Sequence, residues 1–242
     1  MIPRVDLHVH SQFSPCAENV SVRGDAELAV EKGIEVMAIT DHGTEPQPRW
    51  VDRYFAELER VRREFEGRLT LLAGMEVDVV DARLVVDGEI LRRLDVVVAS
   101  VHEIPQGVEA AGYWRRCMLG AVRSGFAKVL GHPTWIYGYR VEIAEEGGGS
   151  EGRVLRLPSE YVLEVLDEAR EAGVAVELNY HHRDPNPLFL KLAVERGVEL
   201  APDSDAHNLS EIGNWSWYER ALRAAGASPA EARWLDPRKL EG

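Results

Sequence analysis

Two periods of apolar residues take turns along this chain: alternation in twos over short runs, and recurrence every three to four residues over longer ones. The first marks a strand with one covered face, the second a helix packed on one side. Residues 4–9 alternate apolar and polar and predict a first strand, and residues 25–32 predict a short helix stopped by Gly33. Residues 36–40 read as the second strand, a charged helix covers about residues 50–66, and residues 69–77 read as the third strand. Asp87-Gly88 falls between the apolar runs 84–86 and 89–91 and reads as the turn of a small hairpin. Strands at 95–100, 128–130, 175–178 and 199–201 continue the series, with helices at 109–124, 158–172 and 187–196. In the 158–172 helix Val162, Val165, Leu166 and Ala169 share a face, with Pro158 at its start and Gly173 past its end. The tail holds a helix near 217–225 and a last segment at 235–240. About seven strand–helix units predict an α/β fold, a distorted (β/α)7 TIM-like barrel in a single domain. A doubly wound open sheet is the alternative on pattern alone, but no glycine-rich nucleotide fingerprint follows the first strand. There is no internal repeat, and the glycine-rich acidic stretch 145–152 is expected to be a mobile surface loop.

Hydrophobic residues make up 45% of the chain and charged residues 29%, as expected for a soluble globular protein. The longest apolar runs, 69–74 and 96–101, are strand-sized and too short to span a bilayer, so no membrane partner is expected. Residues 1–6 enter the first strand without the apolar core of an export signal, and the only cysteines are Cys16 and Cys117. A reducing, cytoplasmic location is the expectation. The 28 basic and 41 acidic residues leave a net charge of −13, which argues against a long nucleic acid as partner. Acids that hold cations lose part of that charge locally, so a small anionic substrate stays compatible. Nothing in the pattern excludes an oligomer.

The chemistry lies in the placement of the histidines. His8 and His10 end the first strand two residues apart, on one side of it. His42 follows the second strand in Thr40-Asp41-His42-Gly43, and Glu76 ends the third in Gly74-Met75-Glu76. His102 follows the fourth strand, His132 the fifth, and Asp205 and His207 the seventh. In a parallel barrel these C-terminal ends form one rim, where active sites are built. Imidazole and carboxylate together suit zinc, manganese or iron. One histidine after a strand is more often a satisfied surface or core residue, but six histidines and two acids on one rim are not independent accidents. His181 and His182, adjacent in a loop, are expected at the surface, and Asp78, Asp81 and Asp87 are expected as solvated loop charge.

Asp6-Leu7-His8-Val9-His10-Ser11 near the start, Asp205-Ala206-His207, and the closing Leu235-Asp236-Pro237-Arg238-Lys239-Leu240 together resemble the PHP family, named for its polymerase and histidinol phosphatase domains. The resemblance covers nearly the whole chain. It implies a distorted (β/α)7 barrel that binds two or three divalent transition-metal ions, zinc first, with manganese or iron as alternatives. In the small stand-alone phosphatases with a trinuclear site, which this chain is most similar to, it implies a distribution of roles. His8, His10, Glu76 and Asp205 would hold the first metal; Glu76 would bridge to a second held by His102 and His132; His42 and His207 would hold the third. Where those members carry a further histidine shortly after the HxH pair, this chain has Cys16, whose thiolate suits zinc. The other reading is a small buried cysteine. Cys117, in a helical stretch, is taken as structural. Glu177-Leu178-Asn179 followed by Arg183 resembles a family pattern in which an arginine approaches the substrate phosphate, a role its planar fork suits. The other reading is a surface arginine beside Asp184.

On this resemblance the chain is a metal-dependent phosphoester hydrolase acting on a small phosphomonoester. Ions sharing Glu76 and held by Asp205 would carry a hydroxide that attacks phosphorus in line, with Arg183 positioning the phosphate. A metal-bound water, or His207, would protonate the leaving alcohol. Asp6 and Asp41 either orient neighbouring imidazoles or serve local turns. The second reading is a phosphodiesterase or exonuclease on nucleotides or short oligonucleotides, for which Trp135, Tyr137, Tyr139 and Tyr180 would stack a base. A non-catalytic metal-stabilised binding module is the alternative of another class, and the full ligand set speaks against it. An amidohydrolase would typically need a bridging lysine, and Lys128 precedes His132 in a place that does not suit bridging. Substrate choice is expected to rest in the loops 105–112 and 135–153.

Overall fold

The structure, a computed structural model, describes residues 1–144 and 149–240. The chain opens with β1 (Val5–Val9), α1 (Val22–Glu31), β2 (Val36–Ile39), a two-residue β3 (His42–Gly43) and α2 (Val51–Glu64). It continues through β4 (Thr70–Val80), β5 (Arg83–Leu84), a single helical turn α3 (Gly88–Leu91), β6 (Val96–Ser100), α4 (Ala110–Arg123) and β7 (Val129–Leu130). A separate sheet of β8 (Arg140–Ala144), β9 (Gly149–Glu151) and β10 (Val154–Pro158) interrupts the alternation. The series then resumes with α5 (Ser159–Ala172), β11 (Ala175–Asn179), α6 (Pro187–Arg196), β12 (Glu199–Asp203), α7 (Trp215–Ala224) and β13 (Arg233–Trp234).

The main sheet runs β1-β2-β4-β6-β7-β11-β12-β13 with every neighbour on that path parallel. It curls until β1 meets β12, which removes the open-sheet alternative. Two buried aspartates make the first part of that seam: Leu7 N–H donates to Asp203 Oδ1 at 2.7 Å and Ser204 N–H to Asp6 Oδ1 at 2.9 Å. Backbone bonding takes over above them, where His10 N–H donates to the Ala206 carbonyl at 3.0 Å. Burial pushes Asp6 up to about 7 and Asp203 well above the usual carboxyl range, so the seam tolerates acids where carbonyls would otherwise stand.

Inside the barrel, Leu7, Leu72, Val98, Val129, Ala175 and Ala201 belong to one buried apolar cluster. Because strand side chains repeat every two residues, β4, β11 and β12 continue from that plug to polar groups on the same face. β1 departs from the period, its register shifting between Asp6 and Val9, so that Val9 packs under the helices while His8 and His10 reach the same polar level. Leu72 leads through Gly74 to Glu76 and Asp78, Ala175 leads to Glu177 and Asn179, and Ala201 leads to Asp203. The opposite parity packs under the helices: Met37, Ile39 and Leu71 lie with Ala26, Tyr54 and Leu58. The Tyr54 hydroxyl donates to the Ile39 carbonyl at 2.7 Å and accepts the Gly74 N–H at 2.8 Å, standing in the ladder between β2 and β4. A Cβ on Gly74 would run into the Thr40 side chain and lie 3.0 Å from the Ile39 carbonyl oxygen, so only glycine fits below Glu76.

The expected hairpin exists but elsewhere. β5 pairs antiparallel with the end of β4, Val79 opposite Leu84, around Asp81 and Ala82 at φ of 47° and 62°. Asp87-Gly88 instead starts α3. The alternation of β4 runs on through Val80, which moves the turn upstream. Of the stretch expected as a loop, Gly149–Glu151 is β9, and residues 145–148 lie outside the described residues. Among the described residues no helix is long and apolar enough to cross a membrane.

Asp25, in the first turn of α1, is buried with neither carboxyl oxygen hydrogen-bonded among the described residues. Burial first, then Asp41 and Asp6, hold its pKa well above the usual value. The folded state thus keeps a proton that the unfolded chain releases near its ordinary pKa of about 3.9. The stability this contributes is full below that value and is lost as the pH rises through the folded pKa. Asp25→Asn should therefore gain about 1–3 kcal/mol on wild type between about pH 5 and about pH 8, measured by urea denaturation. A stability difference that stays flat with pH would show that Asp25 holds no proton in the fold.

Candidate metal centre

Glu76 rises from β4 over the apolar plug and is only 1% exposed. Its Oε1 lies 2.8 Å from His132 Nε2 and 3.1 Å from His102 Nε2. Its Oε2 lies 2.7 Å from His42 Nδ1, 3.5 Å from His8 Nε2 and 3.6 Å from His10 Nε2. Asp205 Oδ1 is 3.0 Å from His10 Nε2 and 3.4 Å from His8 Nε2. Five imidazoles and two buried carboxylates therefore share one small volume.

These groups do not satisfy one another. Glu76 Oε2 and His8 Nε2 are buried without a hydrogen bond, and the 2.7 Å approach of His42 to Oε2 is not aligned as one. Each such orphan costs roughly 1–3 kcal/mol, and a cation between nitrogen and oxygen donors removes the cost for both. Donor triples close enough to grip one ion recur across the cluster: His8, His10 and Glu76; His42, Glu76 and His102; His10, His42 and His207. The cluster is a divalent-metal site.

Burial opposes ionisation of Glu76, yet His102, His8 and His42 hold its pKa well below the usual range. Asp205 is treated likewise by His8 and His10. Against the same burial, Glu76 pushes His42 up to about 11 and His102 up to about 10, while burial drops His10 to about 3. Protons and cations compete for these nitrogens, so loading such a site releases protons.

A second ring of bonds fixes which nitrogen faces inward. His8 Nδ1 is 2.6 Å from Glu177 Oε1, His102 Nδ1 is 2.7 Å from Asp78 Oδ1, and His207 Nδ1 is 2.9 Å from the Asp205 carbonyl. His10 Nδ1 is 3.0 Å from Ser14 Oγ, which donates to Asp41 at 2.6 Å. In all four the Nε2 is left for the centre, the usual way a protein sets the tautomer of a ligand. Asp41 thus acts on His10 through Ser14, whereas Asp6 serves the barrel seam. Glu177 Oε2 also accepts the His132 N–H at 2.6 Å, and His132 needs that support because its φ is 25°.

Cys16 is exposed rather than a core residue, and its thiol lies against His207 and His42; burial of the sulfur opposes ionisation, but those rings hold it near 6. Cys117 is fully buried in α4. Several residues turn out differently from expectation. His182 is not on the open surface: it stacks on Trp135 at 3.7 Å between centroids and reaches to 3.5 Å from Asp205 Oδ2. His181 stacks on His207 and bonds Glu211 at 2.7 Å. Asp78 is not loop charge, because β4 carries it on the Glu76 face to His102. Arg183 goes the other way: at φ of 59° its guanidinium lies over Tyr180 at 3.7 Å and near Trp217, lining a groove with Arg220. Period two within residues 175–179 would have pointed to Glu177 and Asn179, since only alternate positions there are apolar and large.

Residues 6–181 match the family model described as the PHP domain. A probable phosphatase of Caldicellulosiruptor bescii is 31% identical over 225 residues, covering 88% of this chain and 83% of that protein. The DNA polymerase/3'-5' exonuclease PolX of Bacillus subtilis is 26% identical over 97% of this chain, which spans only 38% of PolX. Among solved structures, a histidinol phosphate phosphatase from Lactococcus lactis, complexed with zinc, L-histidinol and phosphate, superposes with a TM-score of 0.65 at 20% identity, over 94% of this chain and 95% of that one. That likeness bears on the fold.

Glu177 holds the His8 ring and the His132 backbone with separate oxygens, so Glu177→Gln must lose one of the two. The expected result is a roughly 10–100-fold weaker zinc affinity with unchanged circular dichroism, read by chelator competition. Wild-type affinity in that variant would mean that Glu177 does not position the ligands.

Proposed function

The chain belongs to the PHP family, and from that premise we propose that it hydrolyses a small phosphomonoester using two or three divalent ions, zinc first among them. As a class it is a metal-dependent hydrolase of phosphate esters. The observation that carries the finer reading is Glu76, whose two oxygens face different histidine sets: His102 and His132 on one side, His8, His10 and His42 on the other. His8, His10, Glu76 and Asp205 would hold one ion, and Glu76, His102 and His132 a second. His42, His207 and Cys16 would hold a third. When bound, the ions supply Lewis acidity toward phosphate oxygens and acidify water.

The protein's own part is positional. Asn179 donates to Asp205 Oδ2 at 2.9 Å, which leaves Oδ1 toward His8 and His10. Trp135 packs edge-on against His132 and flat on His182, keeping water from that flank. Among the described residues no lysine or arginine pairs with Glu76 or Asp205, so the charge of a phosphate falls to the ions. Trimming of oligonucleotides is the second reading, supported by the likeness to PolX. Against it stand the charge of −13 and the cover on two of the four stacking partners proposed for a base, Trp135 by His182 and Tyr180 by Arg183, although Tyr137 is 70% exposed.

Protein purified without chelator should carry about two to three zinc equivalents by elemental analysis. Glu76→Gln should cut turnover of p-nitrophenyl phosphate by more than about a hundredfold while the barrel stays folded. Near-normal turnover with metal in excess would remove Glu76 from its bridging role. Cys16→Ser should weaken one zinc equivalent selectively, because a neutral hydroxyl is a poor zinc ligand. Identical zinc titrations of the two metal-free proteins would show that Cys16 binds no ion.

A further inference from the structure

A cavity of about 650 Å³ opens beside the metal centre, with His42, His102 and Cys16 on its inner side. This volume is within the range of small-molecule sites and exceeds what a phosphate group fills. Its outer wall is apolar. Phe13 and Trp50 lie stacked with ring centroids 5.8 Å apart, joined by Val79 and Val80. Val80 is 45% exposed, an apolar side chain left to water at the mouth of a polar site. No lysine or arginine lines the cavity, and its two acids are Asp78, already bonded to His102, and Glu103. None of the loop residues 105–112 or 135–144, where specificity was expected, contributes to this lining.

Resting on the phosphomonoesterase reading, we propose that this cavity receives the alcohol half of the substrate and selects esters of an uncharged aromatic or branched apolar alcohol over those bearing a second anionic group. A ring or branched chain laid on Phe13, Trp50 and Val80 leaves water for apolar surface, which favours its binding. A second anion placed against this wall meets Glu103 and finds no lysine or arginine in the lining, Arg53 lying outside it at 6.0 Å from the Phe13 ring centroid, and it must shed its hydration. Attraction therefore comes from the apolar wall and rejection from Glu103. Trp50 and Val80 are the specificity-determining residues.

The test compares benzyl phosphate, 4-carboxybenzyl phosphate and glycerol 3-phosphate on zinc- or manganese-loaded protein. All three release alkoxides, so the demand on the chemical step is similar. Benzyl phosphate should exceed each of the others in kcat/KM by at least about tenfold. Trp50→Ala and Val80→Asp should each shrink its advantage over glycerol 3-phosphate by roughly tenfold, in variants whose metal content and circular dichroism match wild type. Calorimetry gives a readout apart from turnover: benzylphosphonate should bind wild type at least about tenfold tighter than methylphosphonate, and Trp50→Ala should erase the difference. Equal use of the three esters, or variants that slow all of them alike, would overturn the assignment of the cavity and leave the hydrolase reading standing. Release of phosphate from none of them, nor from p-nitrophenyl phosphate, would overturn both.

Discussion

A carboxylate held out of water has to be met by positive charge, and in this protein that constraint falls on Glu76. Both of its oxygens are buried, and the side chains that reach them are imidazoles from four different strand ends. Imidazoles alone meet the charge only by taking up protons, which leaves Oε2 without a bond. Cations meet it with better geometry, because several lone pairs can converge on one ion. Much of the local structure serves that convergence. Asp78, Glu177, Ser14 and the Asp205 carbonyl each take up an Nδ1, so that the opposite nitrogens point at the same volume.

The barrel supplies the floor for this arrangement through the two-residue period of its strands. On β4, β11 and β12 the apolar inward residues give way to Gly74 and then Glu76, to Glu177 and Asn179, and to Asp203. Crowding at that level explains why glycine is required at position 74, and His132 and Asp205 at the same rim take positive φ values of 25° and 51°. Strain of this kind persists only where surrounding bonds over-determine it, and Glu177 and Asn179 provide such bonds. The seam between β1 and β12 is part of the same economy of space. Asp6 and Asp203 cross it with carboxyl groups; burial raises both pKa values, and the nearby Glu177 raises that of Asp203 further.

The two flanks of the centre are unlike. On one, Trp135 covers His182, Trp114 Nε1 donates to the Pro133 carbonyl at 2.8 Å, and Thr134 bonds Asp184, so the loops after β7 and β11 are tied shut. The other flank is the open cavity beside His42 and His102, with an apolar outer wall of Phe13, Trp50 and Val80. That open side is lined by β4 and by the loops after β1, β2 and β6.

Most strands of the main sheet, most helices and the residues of the candidate site were legible in the amino-acid sequence because they rest on local order, whereas the small sheet of β8, β9 and β10 was not. A period of two or 3.6 is visible within a dozen residues, and His8, His10, His42, Glu76, His102, His132, Asp205 and His207 all stand where such a run ends. What surrounds those ligands was not legible. Nothing near Val77 shows that its alternation continues in a sheet rather than a loop, so Asp78 looked solvated. His181 and His182 gain their meaning from Glu211 and Trp135, and Arg183 is drawn away by Tyr180 and Trp217. His8 and Glu177 are 169 residues apart in the chain and 2.6 Å apart in space. The sequence determines which residues end each strand; only closure of the sheet decides which of those ends face one another, because contact across a barrel depends on strand order, register and curl, and none of these is a property of any single segment.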